Sequence, residues 1–153
     1  MAALRTIGVK AAEKDMEIAT RSAVAALRTI GVKAAEKDME MATIYAVRTL
    51  HRIWEKAAAE KDTESATRIT VAALSIIGEK AAEKDMEMAT ESAVAALSII
   101  GENAAEKDMG STTRITMAAL NAIGEKAAEN MRMLHIKQAI SKIKQKQNKS
   151  DPN

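Results

Sequence analysis

The side chains best suited to recognition chemistry lie close together in this chain: Tyr45, Arg48, His51, Arg52 and Trp54. Tyr, Trp and Arg are the types in which binding energy concentrates at interfaces, since each joins a broad contact area to a polar handle. The stretch holds the chain's one Tyr and its one Trp. Read functionally, the five residues form a recognition site. Read structurally, Trp54 fills a gap left by an altered turn, and the stretch is a joint between two subdomains. Catalytic chemistry has no comparable foothold. His51 and His135 are the only histidines, and neither has a second histidine one helical turn away, so the usual metal-ligand patterns are not met and no metal or cofactor is expected. Serines, threonines and carboxylates recur from copy to copy as surface or cap residues, which suits a solvated face rather than one reaction centre. A non-enzyme is therefore expected.

A second charged set lies near the end. Lys137, Lys142, Lys144, Lys146 and Lys149 could contact phosphates, but no aromatic residues are interleaved to stack on bases. Nucleic-acid or anionic-surface binding through this basic helix is the alternative, placed behind a protein partner or self-association.

The elements that must position these residues are repeats. Leu4, Leu27, Leu50, Leu74, Leu97 and Leu120 occupy equivalent places, so the steps are 23, 23, 24, 23 and 23 residues. A fixed period of this size signals a stacked array. At 100° per residue, 23 residues leave about 140° beyond whole turns, so one uninterrupted helix would carry its apolar stripe away from any core. Two features offer a reset. Gly8, Gly31, Gly78, Gly101 and Gly124 each follow an isoleucine, the place of a left-handed glycine cap. Asp15, Asp38, Asp62, Asp85 and Asp108 follow lysines and can end one helix or begin the next, with Glu40 or Glu87 in the following first turn. This predicts an α-solenoid of about six 23-residue units. Each unit alternates a long helix such as 86–100 with a short one such as 79–84. A capping helix from Glu129 to about Lys146, with Met133, Ile136, Ile140 and Ile143 inward, closes the array.

Composition fits an all-α fold. The chain has 153 residues, 47% of them hydrophobic, with ten Met, no Phe and no Cys, so its core is aliphatic and contains no disulfide. No apolar run is long enough to span a membrane, and no charged n-region precedes an apolar one, so a cytoplasmic protein is expected. The net charge of +2 is uneven: residues 1–56 carry ten Lys/Arg against seven Asp/Glu, residues 57–130 seven against thirteen, and residues 131–153 six against one. One repeat domain over 1–147 is predicted, with 45–62 as the joint and 148–153 as a disordered tail. Unit three is the exception, with Trp54 in the glycine place and an added alanine in Ala57-Ala58-Ala59; its helix is expected to run on or only bend there.

The run Thr20-Arg-Ser-Ala-Val-Ala-Ala-Leu-Arg-Thr-Ile-Gly31 resembles the second part of a HEAT-like repeat of the bilin-lyase-related type, in which an Ala/Val-rich helix with a central Leu ends in Ile-Gly. The resemblance implies a protein-binding scaffold and carries over no catalytic residue. Function should then lie where the copies differ. Counted from each leucine, one row turns apolar after Tyr45, and Ile69, Ile76, Ile99 and Ile115 complete a candidate interaction strip. The competing reading is that these isoleucines pack between units.

Overall fold

The computed structural model describes residues 1–14, 17–59 and 63–150, with Thr63 described by its backbone alone. Asp15, Asp62 and the last three positions of the expected tail lie outside the described residues. Those described form seven helices: α1 (Ala2–Glu13), α2 (Glu17–Glu36), α3 (Glu40–Ala58), α4 (Thr63–Glu83), α5 (Glu87–Glu106), α6 (Gly110–Lys126) and α7 (residues 129–150). The last begins as α-helix (Glu129–Met131), passes through a π-helical turn (Arg132–Ile136) and continues as α-helix (Lys137–Ser150). Asn148 to Ser150 are thus helical, and the Ser150 hydroxyl donates to the Lys146 carbonyl.

Each 23-residue unit is one helix, which corrects the expected alternation of long and short helices. The glycines do not break it, because no described glycine has a positive φ. The apolar stripe instead runs through them, as Ala23, Leu27, Gly31, Ala34 and Ala35 are buried along α2 at spacings of three and four. Among the described residues other than glycine, those in left-handed backbone are Asp38, Asp85 and Asp108, with φ of 56°, 52° and 55°. Around Asp38 its own N–H donates to the Ala35 carbonyl at 3.0 Å, and the Met39 N–H reaches back to Ala34 at 2.9 Å. The same two bonds recur at Asp85–Met86 and Asp108–Met109. This is a Schellman closure with aspartate in the place usually held by glycine, a substitution that its short polar side chain tolerates. The phase is therefore reset by a three-residue turn that reverses the chain.

The packing of the helices sorts them into two layers. Each helix packs on the next and on the next but one, so α1, α3, α5 and α7 share one layer while α2, α4 and α6 share the other. The core between them is continuous, with Leu27, Leu50, Leu74, Leu97 and Leu120 all fully buried. The repeat leucines mark this seam, and the molecule is an all-α solenoid.

Within a layer, the glycines serve as notches. A Cβ on Gly31 would stand 2.5 Å from the Cδ1 of Ile77 and 3.1 Å from Ala46, and equivalent isoleucines press on Gly8 (Ile53), Gly78 (Ile123) and Gly101 (Ile143). An isoleucine of one helix thus seats against bare backbone two helices earlier. Fully burying such a side chain contributes roughly 1.5–3 kcal/mol. Charged pairs link same-layer neighbours at their ends: Lys56 to Glu13 at 3.3 Å, Lys126 to Glu83 at 3.4 Å, and Lys146 to Glu106. Glu40, in the first turn of α3, accepts the Met88 and Ala89 N–H groups at 3.0 and 3.3 Å, so it caps α5 from another helix. Exposed pairs of this kind contribute little stability.

The final helix departs from the copies. Met131 and Ile136 are both buried yet five residues apart, a spacing that one π turn accommodates on a single face. The expected inward set of Met133, Ile136, Ile140 and Ile143 is corrected accordingly. Ile136 and Ile143 are core and Ile140 is half-buried, whereas the π turn rotates Met133 outward and brings Met131 and Ala139 in.

Candidate interaction site

Unit three is a continuous helix, as expected, and its variable residues divide between two environments. Tyr45, Arg48 and Arg52 are exposed and His51 is half-buried, whereas Trp54 is only 4% exposed. Trp54 is therefore removed from the recognition surface. It stands where other units have their notch, and its indole N–H donates to the Thr67 hydroxyl of α4 at 3.0 Å, which satisfies a polar group that would be costly to bury alone. His51 stacks on it, with ring centroids 5.6 Å apart and planes 19° from parallel.

The other four line one groove of about 400 Å³ on the outer face of the α1–α3 layer, together with Thr49, Glu55 and Arg5. Sequence reasoning misses Arg5 because it lies 46 residues before His51. Two repeats of 23 bring the two side by side, a signal visible only once alternate units are known to share a layer. Arg48 and Arg52 are one turn apart on α3, and α1 supplies Arg5. None of these three arginines has an acidic partner within salt-bridge distance among the described residues, in contrast to Arg21, which pairs with Glu17 at 2.7 Å. Burial holds the His51 imidazole below its ordinary pKa, against the opposing pull of Glu55 one turn along. Its Nε2 finds no hydrogen-bond partner among the described residues.

The apolar strip is not continuous. Ile69 and Ile76 lie on α4 and Ile115 on α6, in one layer, whereas Tyr45 and Ile99 belong to α3 and α5 in the other. Successive units face opposite sides, so a row that is unbroken in sequence is split in space. Ile69 and Ile115 are half-buried against the core, as the packing alternative expects; Ile76 and Ile99 remain 42% and 48% exposed. Ile115 also borders a groove between α4 and α6 with Arg68, Val71, Ala72 and Ser75.

A third surface is visible only in the folded chain. The isoleucine that seats in a notch is fully buried at Ile53, Ile77 and Ile123, but its copy Ile7 in α1 is 56% exposed. Ile18, near the start of α2, is 83% exposed. At the opposite end, Lys144 follows Ile143 as glycine follows isoleucine in the copies, and on α7 Lys137, Lys144, Ile140 and Gln145 border a shallow groove. No group of His, Cys, Asp or Glu suited to a metal ion occurs among the described residues, and no described helix is long and apolar enough to cross a membrane.

No family model matches the chain, and no curated protein matches it. Among solved structures it is similar to a chain called "DHF46 filament", with a TM-score of 0.59 over 97% of this chain and 95% of that one, at 14% sequence identity. A likeness at that identity concerns the fold, a helical array of comparable length.

Proposed function

We propose that this chain is a non-catalytic helical-repeat scaffold that mediates protein–protein contact, including contact with its own copies. The observation that carries self-association is Ile7. It belongs to a row in which Ile53, Ile77 and Ile123 seat against the helix two places earlier, whereas Ile7, on the first helix of its layer, has no such helix and is left in solvent. A second copy offers an apolar surface of matching character. Pairing of two such Ile7 ends, one from each copy, closes as a two-fold dimer. The DHF46 filament, which by its name is an assembly, lends support as a chain of similar fold that associates. The HEAT-like reading belongs with this proposal and is supported by helices stacked in two layers on their first and second neighbours. Sedimentation equilibrium tests it. The average mass should rise with concentration for the native chain and stay monomeric for Ile7→Lys. A native chain that is monomeric throughout, or an Ile7→Lys chain that associates equally, removes the self-association reading.

A further inference from the structure

We infer that the groove between α1 and α3 is a binding site for a carboxylate-rich peptide segment of a partner protein, held by Arg5, Arg48 and Arg52. The inference rests on the protein-binding reading above and assigns a ligand chemistry to one face.

Three features carry it. The first is excess positive charge, three arginines against the single carboxylate of Glu55 that lines the same groove. Arg48 and Arg52 are four residues apart on one helix, an arrangement that costs a few tenths of a kcal/mol through like-charge repulsion, and Arg5 adds a third cation from α1. Elsewhere the basic side chains at same-layer contacts find carboxylates: Lys56 has Glu13, Lys84 has Asp38, Lys126 has Glu83 and Lys146 has Glu106. In this groove arginines from two helices border one space with no carboxylate within salt-bridge distance among the described residues, and a ligand carboxylate would supply that partner. The guanidinium fork matches a carboxylate with two parallel hydrogen bonds, which favours arginine over lysine for this task.

The second feature is length. From Tyr45 to Glu55 the lining follows α3 for ten residues, about 15 Å at 1.5 Å per residue. That spans an extended peptide of four or five residues at roughly 3.4 Å each, and exceeds what one phosphate would use. The exposed Tyr45 ring, at one end of the groove, gives a neighbouring apolar side chain a surface to lie on. The third feature is rigidity. The floor is fixed by His51 stacked on Trp54, which is itself bonded to Thr67, so the arginines project from a helix already held in place.

The same stack supplies a reporter. Trp54 is the chain's only tryptophan and stacks on His51 of the groove, so its emission responds to occupancy of this site. The experiment titrates the full chain with a fluorescein-labelled hexaglutamate peptide, followed by anisotropy, and with unlabelled peptide, followed by Trp54 emission. Saturable binding with a change in emission is expected, weakening with added salt. Arg48→Gln and Arg52→Gln should each reduce affinity about tenfold, and Lys144→Gln on α7 should leave it unchanged. Circular dichroism confirms that each variant is folded. Absence of peptide binding overturns the inference, as does binding that survives the Arg48→Gln/Arg52→Gln double variant. Inorganic phosphate or an oligothymidylate that binds more tightly than the peptide, through the same arginines, overturns the assignment to a peptide. Sedimentation of the same samples separates this result from the dimer: lost peptide binding with self-association intact counts against the groove alone, and the converse against the Ile7 face alone.

Discussion

The middle of the stack and its two ends are written with the same residues and behave oppositely. Ile77 and Ile7 hold equivalent places in copied units, yet Ile77 is fully buried against Gly31 and Ile7 stands 56% in solvent. Gly31 and Gly124 are likewise copies. A Cβ would collide with Ile77 at the first, at 2.5 Å, and at the second would meet only Ile136 and Arg132 at ordinary contact distances of 3.5–3.6 Å. What a residue contributes in a repeat protein is thus decided less by its type than by whether a helix two places along has arrived to use it.

The largest effect expected from this contrast is at the isoleucines. Ile77→Ala should lower unfolding stability by about 2–5 kcal/mol, the range for truncating a buried aliphatic side chain. Ile7→Ala should change the stability of the monomer by less than about 0.5 kcal/mol. Denaturant unfolding at low protein concentration measures both, and equal losses would break the comparison. The glycines come next. Gly31→Ala should destabilise by about 1–3 kcal/mol through overpacking against Ile77 and Ala46, even though alanine is the better helix former. Gly124→Ala should be neutral or stabilising by up to about 1 kcal/mol. A matching loss at Gly124 would mean that α7 presses on α6 as tightly as interior helices press on each other.

The smallest effect is the pH response of unit three. Burial lowers the His51 pKa in the folded chain below the ordinary 6.5, so the unfolded chain takes up the proton first as pH falls. The stability associated with neutral His51 is present above pH 6.5 and is lost as pH drops through its folded value. Arg5, Arg48, Arg52, Tyr45 and Glu55 share its groove, and of these Glu55 works to reduce the shift. His51→Gln should flatten the melting temperature across that window relative to the native chain. An unaltered pH profile in the variant would remove His51 as the cause.

The helical class, the 23-residue period and the place of the irregular unit were legible in the sequence, because periodicity of apolar residues is a local property. So was the membership of Tyr45, Arg48, His51 and Arg52 in one surface, since residues three and four apart on a helix are neighbours. The roles of the glycines and aspartates were not. Glycine after an apolar run is equally compatible with a left-handed cap and with a close approach between helices, and the stripe continuing through Gly31 to Ala34 and Ala35 was the discriminating signal. The expected strip from Tyr45 to Ile115 failed for a different reason. Whether successive units face the same way depends on where the chain reverses, and that was set by Asp38, Asp85 and Asp108 in left-handed backbone.

By itself the sequence determined what every copy shares: amphipathic helices, an aliphatic seam of leucines, and one unit marked by Tyr45 and Trp54. Only the tertiary structure decided that Trp54 belongs to the core and Arg5 to the groove, that alternate units share a layer, and that Ile7 is left without a notch. The physical reason is range. Helix periodicity is fixed by hydrogen bonds four residues apart, whereas the fate of each notch and each arginine depends on a side chain some 40 residues away, which reaches it only when the helices stack.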